Sequence, residues 1–248
     1  MTAEKTTGLV IRLADFSESS KVVTLFTRDF GKISAIAKGG KRLKGPFETA
    51  LDLLAESRLV FIRKSSGGLD ILTECQLMAR FRPPERNLNC LYGGYYIAEL
   101  LAGLTEDYDP HPVLYDEAVI ALRRLTEESD FRWPVLRFEV ITLREIGHLP
   151  DFRACLSCGR AVSDYSNFVF WVSQGGLLCP NCRKPEYTAH PMHGKTLALF
   201  EQLSADPAPP IPTDPVSPKT LQELRHLITA AICQPLDRRP KMLSYLPF

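Results

Sequence analysis

Three features predict an α+β chain in two parts: five short β-branched runs before residue 80, apolar residues at three-to-four spacing from residue 81 onward, and two Cys-x2-Cys pairs with twenty residues between them inside the helical part. So small a sheet is best served by closure, which removes its exposed edges. Residues 1–80 are therefore expected to form a five-stranded OB-type β-barrel. Residues 81–248 are expected to form a helical domain, with a four-cysteine zinc knuckle pair inserted at 151–187.

The first three strands are Gly8-Leu-Val-Ile-Arg-Leu13, Lys21-Val-Val-Thr-Leu-Phe-Thr27 and Gly31-Lys-Ile-Ser-Ala-Ile-Ala37, with Arg28-Asp-Phe-Gly31 as the hairpin connection between the last two. Arg58-Leu-Val-Phe-Ile-Arg63 and Leu69-Asp-Ile-Leu-Thr-Glu74 follow, divided by the turn signal Lys64-Ser-Ser-Gly-Gly68. Arg82-Pro-Pro84 ends the β pattern. Tyr95, Tyr96, Leu100 and Leu104 then recur at helical spacing, and Val113 to Leu125 and Val135 to Ile146 repeat the signal behind Pro112 and Pro134. Gly147 is a natural helix stop. Gly194 to Leu203 reads as a helix, Asp206 to Pro218 as a proline-rich linker, and Ser217-Pro218 as the cap and first turn of a last helix running to about Cys233.

The sharpest chemical signal is Cys155-Leu-Ser-Cys158 followed by Cys179-Pro-Asn-Cys182. Each pair offers two thiolates at one edge of a tetrahedron, and a loop carrying Phe168, Phe170 and Trp171 is expected to bring the knuckles together. Four sulfurs close the shell and leave no position for a metal-bound water, so one zinc ion held here would be structural. A disulfide pair and a redox Cys-x-x-Cys are the competing readings. Cys75, Cys90 and Cys233 stand alone among apolar neighbours, as reduced core cysteines do in a cytoplasmic protein. The N-terminus shows no signal-peptide pattern and no apolar run reaches membrane length, so a cytoplasmic location without membrane contact is expected.

Net charge is +1 but unevenly spread. Residues 1–80 carry thirteen Lys/Arg against nine Asp/Glu, and residues 81–248 seventeen against twenty. Lys32, Lys38, Lys41, Arg42 and Lys44 fall in one stretch without an acid, around Gly39-Gly40. Unpaired cations beside glycines that let amides approach closely suit a phosphate backbone, and Arg63 and Lys64 at a neighbouring strand end extend the track. A solvated basic loop is the plainer alternative. Phe26, Phe30, Phe47 and Phe61 read as barrel core more readily than as base-stacking groups.

His193-Gly-Lys-Thr196 imitates the end of a phosphate loop, but Ala189 stands where a glycine is needed and no buried strand precedes it, so it is read as a helix start. His190 and His193 are left as surface residues, since four cysteines suffice for a metal. Arg123, Arg124, Arg132, Arg137 and Arg144 are either solvated helix faces or a grip for an acidic peptide. No deaminase, nucleophile-elbow or zincin motif is present, so no enzyme activity is expected.

An ordered set of segments then carries a resemblance. It comprises Gly8-Leu-Val-Ile-Arg, Thr24-Leu-Phe-Thr-Arg-Asp-Phe-Gly-Lys-Ile-Ser-Ala-Ile-Ala-Lys-Gly39, Ala98-Glu-Leu-Leu-Ala-Gly-Leu-Thr-Glu106, Arg137-Phe-Glu139 and Leu143-Arg-Glu-Ile-Gly147. Cys155-Leu-Ser-Cys-Gly159, Gly175-Gly-Leu-Leu-Cys179 and Asp237-Arg-Arg-Pro-Lys-Met-Leu-Ser244 complete it. Over essentially its whole length the chain resembles the RecO family of bacterial recombination mediators. The resemblance implies a monomer that binds single- and double-stranded DNA, anneals complementary strands, and with RecR helps RecA displace the single-strand binding protein SSB. It also implies that the acidic, hydrophobic-ended tail of SSB docks on the helical domain, and that the protein works at the nucleoid. A zinc-ribbon protein of an RNA, transcription or translation complex is the alternative within binding proteins. A metal-dependent hydrolase is the alternative among enzymes.

Overall fold

The computed structural model describes residues 2–42, 47, 50–64, 67–127, 130–162, 168–171, 174–184, 189–205 and 216–248, with backbone alone at 189–191. The linker expected at 206–218 and the turn residues Ser65 and Ser66 fall largely outside this set, as does Lys44.

Five strands open the chain: β1 (Ala3–Asp15), β2 (Lys21–Thr27), β3 (Gly31–Ala37), β4 (Glu56–Ile62) and β5 (Asp70–Ala79). They pair as a ring in the order β1-β2-β3-β5-β4, a closed barrel. Four of its pairings are antiparallel, and β3 runs parallel to β5 over Ala35–Ala37 and Asp70–Leu72. Closure rests on β1, whose first half lies against β4, from Ala3–Ile62 to Leu9–Glu56. Its second half lies against β2, from Gly8–Thr27 to Asp15–Lys21. A bulge between Val10 and Arg12 bends it from one partner to the other. The freed backbone groups of Val10 are taken up by the returning chain: its N–H donates to Ala55 O (3.1 Å) and its carbonyl accepts from Leu54 N (2.8 Å).

Alternation sorts the side chains. β3 sends Ile33, Ala35 and Ala37 into the barrel and turns Lys32, Ser34 and Ile36 outward. With Val10, Val23, Leu25, Leu59, Phe61 and Leu72 these fill the interior, which Phe47 and Leu51 join. Of the aromatic residues expected in the barrel core, Phe47 and Phe61 are there and Phe30 packs edge-on against Phe61. Phe26, next to the inward-facing Leu25, is instead buried on the outer side of the barrel against the ring of Tyr115 (centroids 6.4 Å apart).

Five helices follow: α1 (Leu88–Leu104), α2 (Pro112–Glu127), α3 (Arg132–Glu145), α4 (Gly194–Ser204) and α5 (Pro218–Leu236). Asn87 caps α1 by accepting from Cys90 N (3.3 Å), and Ser217 caps α5 by accepting from Thr220 N (3.1 Å), with Pro218 in its first turn. At the end of α3, Gly147 N donates to Arg144 O and His148 N to Leu143 O, the paired bonds of a Schellman stop on a left-handed glycine. Three short strands, β6 (Val169–Trp171), β7 (Gly176–Leu178) and β8 (Ala189–Pro191), make a small sheet in the order β7-β6-β8.

Contacts divide the chain into two compact units, 1–134 with 240–246 and 135–239 with 247–248. The first therefore holds α1 and α2 as well as the barrel. Its returning tail is tied by Glu99 of α1, whose carboxylate accepts from the backbone N–H groups of Lys241 and Met242 (2.8 Å each), while Tyr245 packs on Tyr92. The segment after α1 docks on the barrel. Tyr108, at a left-handed φ of 60°, gives its N–H to Lys32 O (3.0 Å) and its hydroxyl proton to Asp70. Asp70 is wholly buried and also accepts from Lys64 N (3.0 Å). In the second unit Glu139 of α3 and Arg225 of α5 form a buried two-pronged pair (2.6 and 2.7 Å), with Arg225 also on Thr229 and under the Phe248 ring.

Burial, then the hydrogen bond to Asp70 and its charge, push the Tyr108 phenol up to about 12, against about 10 for an unfolded tyrosine. Its stabilising contribution is complete below pH ~10 and is lost as the pH climbs towards ~12. Tyr108→Phe should cost about 1.5–3 kcal/mol in urea unfolding at neutral pH, because it leaves a buried carboxylate short of a donor. It should also flatten the loss of stability between pH ~10 and ~12, which urea titrations across that range will read.

Candidate metal centre and nucleic-acid interface

The two knuckles are built from their own backbone. In the first, Gly159 N donates to Cys155 O (2.9 Å), with Gly159 at a left-handed φ of 71°, and Cys155 N donates to Arg160 O (2.8 Å). In the second, Cys182 N and Arg183 N both donate to Cys179 O (3.0 and 3.1 Å). The segment between them is a strand pair rather than the loop expected from sequence. β6 and β7 pair antiparallel at Val169–Leu178, Phe170–Leu177 and Trp171–Gly176, so the second knuckle leaves directly from the end of β7. Leu156 N donates to Leu177 O (2.8 Å) and sets the first knuckle beside it. Phe168 and Phe170 are anchors of this arrangement, buried, with Phe170 against Phe152 and Phe152 against Phe200.

The result brings the Sγ atoms of Cys155, Cys158, Cys179 and Cys182 all within 4.8 Å of one another. Cys158 and Cys179 are 3.8 Å apart. A tetrahedron of sulfurs at ~2.3 Å from a central ion has edges of about 3.8 Å, so the spacing fits one metal ion and no disulfide. None of the seven cysteines forms a disulfide. Burial raises the Cys155 thiol, but amide N–H groups of Cys179, Cys158 and Ser157 bring it down to about 6. For Cys182 a Ser157 hydrogen bond lowers the thiol while bonds with Cys158 and Cys179 raise it more, up to about 12. Four thiolates this close repel one another, and a dication is what would let all of them stay deprotonated.

The basic residues fall into two groups at opposite ends of β3. At its start, Lys32 is engaged internally: Nζ donates to Ala102 O (3.1 Å) and Thr105 O at the end of α1 and lies 3.6 Å from Asp107, with the side chain only 16% exposed. It closes a helix C-terminus, where a cation is favoured. Arg63 lies over the Tyr108 ring at 3.9 Å, and half-buried Lys64 follows it. At the far end, six residues on and roughly 20 Å along an extended strand, Lys38 and Arg42 are exposed on the turn made by Gly39 (φ 78°). Lys41 there pairs with Asp15 (3.0 Å), an acid distant in sequence, and gives its N–H to Ser19 O (3.1 Å). The loop after β3 is thus stitched to the β1–β2 turn.

That turn holds a residue not singled out from sequence. Phe16 is 60% exposed and stands in the polar run Asp15-Phe-Ser-Glu-Ser-Ser20, where an aromatic group between two strands was the available signal. Elsewhere, several candidate cations have structural partners. Arg137 donates to Leu203 O and Ala205 O, and Arg144 to Ser204 O (3.1 Å), so both close the C-terminus of α4. Arg132 forks onto Asp130. His193 precedes the first turn of α4 and pairs with Glu223 (2.6 Å), which also accepts from the buried Thr196 hydroxyl (2.7 Å); the phosphate-loop look-alike is a helix start.

Two family models match this chain, the recombination protein O N-terminal domain over residues 1–81 and its C-terminal domain over 85–244. The chain belongs to the RecO family. DNA repair protein RecO of Rhodopirellula baltica is 36% identical over 97% of both chains. RecO of Listeria monocytogenes is 30% identical over 89% of this chain and 86% of its own, and that of Anaeromyxobacter dehalogenans 31% over 96% and 94%. The RecO models meet where the barrel gives way to the helices, and the RecO C-terminal match spans the four cysteines.

The cysteine cluster predicts a metal content of one ion per chain in protein purified under reducing conditions. Cys155→Ser or Cys182→Ser should abolish it and make residues 151–184 sensitive to protease. Acidification should release the ion, because protons compete for the thiolates. Metal analysis showing no stoichiometric ion in the unmutated chain would exclude the site.

Proposed function

We propose that the chain is a DNA-binding recombination mediator and not an enzyme: it binds single- and double-stranded DNA, anneals complementary strands and, with RecR, helps load RecA onto SSB-coated single strands. The observation that carries this reading is the stitched pair of loops at one end of the closed barrel, with Lys38, Lys41 and Arg42 around Gly39. The ring order with β3 parallel to β5 supports reading the barrel as OB-type, whose loops and second and third strands commonly take oligonucleotides. Membership of a family of DNA repair proteins supports the choice of DNA.

On this reading Lys38, Lys41 and Arg42 contact phosphates at one end of the barrel, Lys44, which lies outside the described residues, contacts them too, and Arg63 and Lys64 extend the path at the other end. Lys32 acts through the α1 terminus it holds. Annealing is limited by repulsion between two polyanions, which bound cations reduce, so no chemical step and no nucleotide is required. The four cysteines hold one structural zinc, as a closed thiolate shell suits. The acidic tail of SSB docks on the helical part, RecR binds in addition, and the chain alone is a monomer acting at the nucleoid. No helix among the described residues is long and apolar enough to cross a membrane.

Annealing of complementary oligonucleotides, with and without SSB, tests the proposal. Naked strands should anneal without ATP, and SSB-coated strands should anneal only while SSB keeps its last residues. Failure on naked strands at low salt refutes the mediator reading. The quadruple Lys38, Lys41, Arg42 and Lys44 to Ala variant should weaken binding to both DNA forms. For four lost contacts its log–log salt slope should fall by about 2.8 on single strands and about 3.6 on duplex. An unchanged slope in the folded variant would move the contact elsewhere.

A further inference from the structure

We propose that Phe16 is a stacking platform for one unpaired nucleobase, held in register with the phosphate-binding loop; the inference rests on the DNA-binding reading above and adds to it a means of preferring single strands. Exposed apolar residues scattered singly are ordinary, so exposure alone decides nothing. Here the surroundings do. The turn is internally braced: Phe16 N and Ser17 N donate to Ser20 O (3.1 and 3.3 Å), and Ser20 N donates to Ser17 Oγ (3.2 Å). The ring is therefore presented by an ordered turn.

Its neighbours are the residues that would bind the backbone. Asp15, immediately before it, holds Lys41 Nζ at 3.0 Å, and Ser19 O takes the N–H of Lys41 at 3.1 Å. Lys38 and Arg42 are exposed on the same loop. A strand whose phosphates lie along 38–42 therefore runs beside the turn that carries the ring. The remaining barrel aromatics are unsuited, because Phe26, Phe47 and Phe61 are buried and Phe30 packs on Phe61. Tyr245, also exposed, packs on Tyr92 and belongs to the returning tail. Along the outer face of β2 and β3 near this end stand Val22, Thr24, Ser34 and Ile36, half-buried and without an aromatic ring. Among the described residues, stacking at this end of the barrel thus falls to Phe16. A duplex keeps its bases stacked on each other and offers the ring nothing, whereas a single strand offers a free π-face.

The experiment measures binding of the full chain, at low salt, to oligo-dT, to an abasic strand of equal length and to a duplex, using wild type, Phe16→Ala and Phe16→Trp. Phe16→Ala should weaken oligo-dT binding about 5- to 150-fold, the range for one stacked base, and leave the abasic strand and duplex within about twofold. Phe16→Trp should restore the preference for bases over abasic sites. Equal weakening of all three ligands, or no weakening of oligo-dT while wild type binds normally, overturns the stacking role and leaves the phosphate reading standing. Wild type that binds none of the three overturns both.

Discussion

A single strand that hydrogen-bonds along both edges turns five strands into a barrel. β1 is long enough to serve β4 with its first half and β2 with its second, and the exchange occurs at Gly8 and Leu9, which face both partners. A Cβ on Gly8 would come within 2.7 Å of Leu59 Cδ1 and 3.2 Å of Thr27 Cγ2, so a larger residue there would have to displace buried side chains. The bulge that follows opens the backbone of Val10, and Leu54 and Ala55 close it, with Leu54 at a left-handed φ of 63°. The antiparallel pairing of β2 with β3, which sets Lys21 opposite Ala37, puts the β1–β2 turn and the exit of β3 at one end of the barrel. The polar turn carrying Phe16 then meets the basic loop carrying Lys38 and Arg42.

The second unit is held from inside by charge as well as by apolar burial. The Glu139–Arg225 pair joins α3 to α5 with two short hydrogen bonds, and its burial makes the loss of either partner costly. Loss of one member of such a pair commonly costs about 3–5 kcal/mol. The metal centre has a smaller apolar foundation: three-residue strands and a few aromatic groups, with Phe152 between Phe170 and Phe200. So small a sheet is marginal on its own, and an ion held by the four cysteines would supply what its core cannot.

Cations in this chain serve two masters, and counting them does not tell which. Lys32, Arg137 and Arg144 all end on carbonyl groups at helix C-termini, where they satisfy acceptors the helix leaves open. Lys41 faces Asp15, twenty-six residues earlier. The excess of positive charge in the first eighty residues therefore overstates what is available to a polyanion. Among the described residues of the loop, Lys38 and Arg42 are the cations left exposed.

By itself the sequence determined what depends on near neighbours. Alternation in Gly31–Ala37 decides which side chains enter the barrel, Ser217-Pro218 starts a helix and Gly147 stops one, and two Cys-x2-Cys turns make two knuckles, because each is settled within a few residues of backbone. The ordered segments also disclosed the family. The tertiary structure decided which distant groups meet. Glu99 reaches Lys241 and Met242, Glu139 reaches Arg225, and Asp70 reaches Tyr108, pairings across 142, 86 and 38 residues that no local pattern encodes. The same holds for the site. The thiols were legible from spacing, but the hairpin that joins them was not, because three-residue strands carry too little periodicity to read. Lys32 and Lys38 look alike in sequence, and only the approach of the α1 carbonyls to one of them makes the first a structural cation and leaves the second exposed to solvent.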